Sequence, residues 1–252
     1  MILDLDSTLI RTEDIKKILF DFVRSCGFKE EEVHAIYNEA RNDGDINTFT
    51  LGMMERKIRE HVDAHDNASV CFDETAWGAI RSGESLSRGG LLIEGADELI
   101  RYATERGIPY RIVTLGVEEW QKDKVQMSGL ADLLEQCGVE DVTDVLRSTE
   151  AEEDGKLHVV RDVFEELGLE DGEGVLFVND KPEETERVLK QFNEMHGALR
   201  RERRDRRYGE EDYKKLTEHP QMIGIWDDLR GVVQMLRESD EPRREARMGD
   251  NK

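Results

Sequence analysis

The chain has 252 residues, enough for one large domain or a core with a sizeable insert; 37% of them are hydrophobic and 37% are charged. A net charge of −22 repels nucleic acid and favours cationic cofactors over polyanionic partners. No apolar run approaches the roughly 18 residues of a membrane span. The opening segment leaves no room for a signal peptide, and three scattered cysteines without a CxxC pair point to reduced thiols in a cytoplasmic protein.

The first element, MILDLD, reads as a short strand. With Leu3 and Leu5 facing the core, Asp4 and Asp6 leave together at its carboxyl end. Thr12 can then cap a helix whose apolar face is Ile15, Ile18, Leu19, Phe22 and Val23, stopped by Gly27. A second helix is expected over Lys29 to Ala40, broken by the turn-rich Asn42 to Asp45, and a third through Met53, Met54, Ile58 and Val62. Residues 11–88 therefore read as a helical insert, with Ser82 to Gly90 as a hinge.

Beyond it the pattern alternates. A helix over Gly95 to Arg106 precedes a strand over Ile108 to Thr114, and helical segments fill Glu118 to Gln136. A short strand is expected over Val142 to Leu146, then a helix over Lys156 to Leu167 and a buried strand over Gly174 to Asn179. A helix over Glu183 to Met195, a strand over Met222 to Trp226 and a helix over Asp227 to Arg237 complete it. Alternation of this kind predicts an α/β protein: a parallel sheet core covered on both faces (1–10 and 89–238), with the all-helical 11–88 inserted into it. The run RRERRDRR at 200–207 reads as a solvated helix face pairing with the acidic bulk, and 239–252 as a disordered tail.

Ligands bind at the carboxyl ends of such strands. Collected there are Asp4 and Asp6, Thr114, Lys156 at a helix start, and Asp180 with Glu183 and Glu184 close behind. Phosphoryl transfer needs an in-line nucleophile and positive charge around the phosphoryl oxygens. Asp4 can attack, forming an aspartyl-phosphate. Asp6 can protonate the leaving oxygen and then deprotonate water. Thr114 and Lys156 can bind the phosphoryl group. Mg²⁺ can take Asp4, the Asp6 carbonyl and Asp180 as ligands.

DLDSTL, Thr114, Lys156 and VNDKPEE also resemble the four signature motifs of the haloacid dehalogenase (HAD) superfamily, over Ile2 to about Leu236. The resemblance implies a Rossmann-like core, a cap that closes over the substrate, and, through the acid at position 6, phosphate ester rather than carbon–halogen chemistry. It implies Mg²⁺-dependent hydrolysis of a small phosphorylated metabolite, with Glu183 or Glu184 as the second, outer-shell acid; the charge and the lack of a long apolar run argue against nucleic-acid and membrane partners. A phosphomutase of the same family and a non-catalytic binding protein on the same scaffold are the alternatives. His61 and His65, four apart, read as exposed cap residues rather than metal ligands.

Overall fold

A computed structural model describes residues 1–42, 49–65, 67, 69–84, 90–150 and 154–249. Its centre is a six-stranded parallel sheet in the order β3-β2-β1-β4-β5-β6: β1 Ile2–Asp4, β2 Arg111–Leu115, β3 Leu146–Thr149, β4 Leu176–Asn179, β5 His196–Arg200 and β6 Met222–Trp226. The α/β reading holds. Chain direction reverses its sideways march between β1 and β4, the switch point where a crevice opens in such sheets. Both faces are covered, so the strands carry apolar residues on either side. Leu3, Ile112 and Val178 enter one core, shared with the helical insert; Ile2, Val113 and Phe177 enter the other.

Among the described residues five helices lie between β1 and β2: α1 Thr12–Ser25, α2 Glu30–Asn42, α3 Leu51–Asp63, α4 Glu74–Arg81 and α5 Ala96–Glu105. The first four form the helical insert; α4, Asp73-capped, was not separated from its surroundings in sequence. Aromatic contacts knit the insert: Phe22 packs on Phe72 and Trp77, and Phe20 and Phe49 on Tyr37. The expected turn at 43–45 and most of the hinge, 85–89, lie outside the described residues.

The rest of the helical layer is α6 Glu118–Ser128, α7 Leu130–Gln136, α8 Lys156–Leu167, α9 Pro182–Gln191, α10 Glu210–Thr217 and α11 Arg230–Gly249. Several expectations are corrected. Val142–Asp144 is a 3-10 turn, not a strand, because Asp141 Oδ1 accepts the Thr143 amide at 2.8 Å; the strand follows it. The helix expected to reach Met195 ends at Gln191, where Phe192 turns to pack on Phe164 at 4.2 Å and frees His196–Arg200 as a strand. The arginine run is a strand end and loop rather than a helix face, although its ion pairs with acids are present: Arg201–Glu210, Arg203–Asp227 and Arg204–Asp14 at 3.0, 2.6 and 3.1 Å. The last helix continues beyond Arg237 into the segment read as a disordered tail. Asp240, within that segment, is held by Tyr102 Oη at 2.5 Å and Arg106 at 2.8 Å. Residues 250–252 lie outside the described residues.

No helix among the described residues is long and apolar enough to cross a membrane. His61 and His65 are half-buried rather than exposed: each faces a carboxylate (Glu39 at 3.0 Å, Glu32 at 3.4 Å) and the edge of Phe28.

Candidate active site

β1 ends on Asp4, and the chain then turns sharply through Ser7, whose φ of 56° is the left-handed region. Three contacts fix this turn: the Ser7 amide donates to the Ile10 carbonyl at 3.0 Å and to Thr12 Oγ1 at 3.3 Å, and Arg200, at the end of β5, donates to the Ser7 carbonyl at 2.7 Å. The two aspartates therefore do not simply lie side by side. Each acquires its own lysine.

Asp4 is fully buried. Its Oδ1 lies 2.7 Å from Lys156 Nζ, and its Oδ2 accepts from Thr8 Oγ1 at 2.8 Å. Lys156 opens α8 behind Asp154 and Gly155, both at positive φ, and this turn aims it under the sheet edge. It also reaches Asn179 Oδ1 at 3.0 Å and Glu184 Oε2 at 3.0 Å. Burial opposes its charge, but Asp4, Glu184 and Asp180 more than compensate and raise its pKa.

Asp6 sits higher and wetter, with 29% of its side chain exposed. Lys124 on α6 donates to both its oxygens at 2.6 Å; Thr12 Oγ1 donates to Oδ1 at 2.8 Å, and Thr114 Oγ1 lies 3.1 Å from Oδ2. Burial would raise the Asp6 pKa, but the Lys124 charge and these hydrogen bonds outweigh it and hold the carboxyl below its ordinary value. Thr114 Oγ1 also lies 3.0 Å from Gln121 Oε1, whose amide donates to the Leu115 carbonyl at 2.8 Å.

Asp180, at the end of β4, is 4% exposed, and its Oδ1 has no hydrogen-bond partner. Burial first, and then the adjacent Asp4 carboxylate, push its pKa well above the usual range; burial raises that of Asp4 too, against the pull of Lys156 and Lys181. Two carboxylates out of water beside each other, one with an orphaned oxygen, suit a hard divalent cation. The side chains supply Asp4 and Asp180; among the described residues no group of three His, Cys, Asp or Glu side chains is poised for a metal. Glu184 is bound to Lys156 and to Lys181 Nζ at 2.9 Å, which carry it down to about 2 against the effect of burial. Lys181 thus pairs with Glu184. Glu183, one residue earlier on the helix, points to solvent with 72% of its side chain exposed, 3.6 Å from Arg187, and does not join the site.

Thus Asp4, Asp6, Thr114, Lys156, Asp180 and Glu184 converge, and Glu183 does not. Sequence reasoning missed Lys124 and Gln121 on α6, Asn179, and the role of Thr12. Thr12 was expected to cap α1, but it is the first helical residue, and its hydroxyl is spent on Asp6. The available signal was a polar set, Gln121, Lys124 and Ser128, at helical spacing beside Val125 on the buried face of α6.

No protein-family model matches the chain, and neither does any curated protein. Solved structures do. A haloacid dehalogenase-like hydrolase from Burkholderia xenovorans LB400 is 18% identical, with 94% of this chain and 95% of that chain covered at a TM-score of 0.58. A haloacid dehalogenase-like family hydrolase from Xanthomonas campestris is 17% identical, with 100% and 93% covered at 0.52. The HAD-hydrolase YfnB from Bacillus subtilis, bound to magnesium, is 13% identical, with 93% and 96% covered at 0.50. The chain has the fold of haloacid dehalogenase-like hydrolases.

Proposed function

We propose that this protein is a Mg²⁺-dependent phosphatase that hydrolyses a small phosphorylated metabolite through an aspartyl-phosphate on Asp4. In this reading residues 11–88 are the cap, and residues 1–10 with 89–238 are the catalytic core. The observation that carries it is Asp6. A carboxylate two residues beyond the nucleophile, oriented by Lys124, Thr12 and Thr114, is a proton carrier. Cleaving a phosphate ester needs one at the leaving oxygen; expelling a halide does not.

Asp4 presents its carboxylate from a rigid strand end, with Thr8 and Lys156 fixing its rotamer. Attack on phosphorus forms the Asp4–phosphorus bond and breaks the ester P–O bond. Lys156, already among three acids, balances the negative charge that accumulates there. Thr114 stands across from it as the hydroxyl donor to a phosphoryl oxygen. Lys124 holds Asp6 ionised at rest, so an arriving substrate displaces that ammonium from at least one oxygen before Asp6 carries a proton. Asp6 then takes up a proton from bulk solvent, gives it to the leaving oxygen as the ester P–O bond breaks, takes a proton from the water that hydrolyses the acyl phosphate, and releases it to solvent as the site resets. Asp4 and Asp180 would hold Mg²⁺ together with the Asp6 carbonyl, and the bound ion would supply charge that lets two anions approach. The magnesium carried by YfnB, which shares this fold, supports the choice of ion.

The purified protein should release inorganic phosphate from a generic aryl phosphate only when Mg²⁺ is added, and should release no chloride from a 2-chlorocarboxylic acid. Asp4→Asn should abolish turnover while leaving the circular dichroism spectrum unchanged. Phosphate release that survives this substitution would overturn the mechanism.

A further inference from the structure

A cavity of about 250 Å³ opens beside Asp6, between the helical insert and α6, lined by Glu13, Lys16, Tyr37, Arg41, Phe49 and Trp120. Thr12, Gln121 and Lys124 form the side of it that borders Asp6. A group leaving from Asp4-bound phosphorus and taking its proton from Asp6 departs into this space. The volume is below the roughly 300–1,000 Å³ of pockets for drug-sized ligands, so the leaving group is small.

Its charge is out of keeping with the rest of the molecule. The chain carries 58 acids against 36 lysines and arginines, and most of its basic side chains near the site are paired: Lys124 with Asp6, Lys156 with Asp4, Lys181 with Glu184, Arg204 with Asp14. Lys16 and Arg41 have no carboxylate within ion-pair distance among the described residues. Lys16 instead rests over the rings of Phe20 and Tyr37, at 5.5 and 5.4 Å from their centroids. With Lys124 spent on Asp6, Lys16 and Arg41 share the cavity lining with one exposed carboxylate among the described residues, Glu13. The lining is also aromatic: Phe49 bridges Tyr37 of α2 at 5.5 Å and Trp120 of α6 at 4.9 Å.

We infer that the substrate carries a second anion on its leaving group, a carboxylate or another phosphate, bound by Lys16 and Arg41 while the carbon skeleton lies against Tyr37, Phe49 and Trp120. This rests on the phosphatase reading and narrows it to small phosphomonoesters that carry a second anionic group. The net charge of −22 disfavours the approach of polyanions, and a local cationic pocket offsets this.

The test is a matched set of phenyl phosphates bearing para carboxylate, phosphate or uncharged carboxamide. For the native enzyme, kcat/KM for an anionic member should exceed that for the carboxamide by about tenfold or more, mostly through KM. In Arg41→Gln and Lys16→Gln that ratio should fall toward one, whereas Arg41→Lys should keep part of it. The carboxylate and phosphate arms tell which anion is preferred. A native ratio near one, or ratios unaltered in both variants, would overturn the inference. Should nothing turn over, the phosphatase reading fails, and the pocket is judged by calorimetry with 4-hydroxybenzoate against 4-hydroxybenzamide. Preference for the carboxylate that Arg41→Gln removes supports the pocket; equal binding refutes it.

Discussion

Lys124→Met removes the ammonium from Asp6 while keeping the unbranched stem and its packing over Trp120. Lys124 is 3% exposed and donates to both Asp6 oxygens at 2.6 Å. Removing one partner of a buried pair costs about 3–5 kcal/mol. Asp6 retains two hydroxyl partners and partial solvent access, so about 2–3 kcal/mol is expected here. For a chain of this size that lowers Tm by about 5–10 °C. The pH dependence has a definite sign. The native Asp6 pKa is depressed, so its contribution is complete above the unfolded value of about 3.9 and is lost as pH falls through the native value. Thermal unfolding followed by circular dichroism should show the full gap between native and variant at pH 7, and the gap should narrow below about pH 4. Turnover should fall by about a hundredfold or more, because the proton carrier loses its orientation. A variant within about 2 °C of the native Tm at pH 7, with unaltered kcat, would show that Lys124 does not hold Asp6.

Asp123, on α6 against the insert, accepts the Leu51 amide and is pushed up to about 6, first by burial and then by Glu119. A raised carboxyl destabilises the fold once it ionises, so Asp123→Asn should gain about 1 kcal/mol at pH 8 and nothing at pH 4, read as Tm. Glu166 ties β2, β3 and α8 together through Arg111 and Arg147, each at 2.7 Å, and these hydrogen bonds hold it down to about 2. Glu166→Gln should lose up to about 1 kcal/mol at pH 7, with the deficit fading below about pH 4.5 as protonation erodes the native contribution. Gly95→Ala places a Cβ 2.4 Å from the Arg230 amide nitrogen at a φ of +84°, and should cost about 2–4 kcal/mol in urea unfolding without changing the chemistry at Asp4.

The residues legible in sequence share one property: each follows a strand or begins a helix in a parallel sheet. Chain direction alone then sends Asp4, Thr114 and Asp180 to one edge, with Lys156 opposite on the next helix. No knowledge of packing is needed, and the structure brings all four together. What escaped depends on packing between elements far apart in the chain. His196–Arg200 and α10 are assigned to no strand or helix in the sequence, because the short buried GALR runs straight into arginines and α10 buries only Tyr213 and Leu216. Thr12 looks like a cap because a threonine before an amphipathic stretch usually is one. Only the tight turn at Ser7 shows that its hydroxyl belongs to Asp6.

Lys124 is the more instructive omission, because the sequence held a physical reason to look for it. Asp4 and Asp6 are too close for both to stay ionised without compensation. Lys156 neutralises only the first, and the Asp6 carboxylate needs a cation of its own. The surrounding surface is so acidic that this cation had to be an inward-facing lysine or arginine rather than a solvent-exposed one. Within reach of the second strand's carboxyl end, α6 offers two lysines: Lys122, which pairs with Glu118 at 2.6 Å on the outer face, and Lys124, which shares the buried face with Gln121 and Val125. The requirement for one lysine per carboxylate therefore selects Lys124 by helix periodicity alone. The same reasoning, applied to the unpaired Lys16 and Arg41, is what makes an anion the natural occupant of the cavity above Asp6.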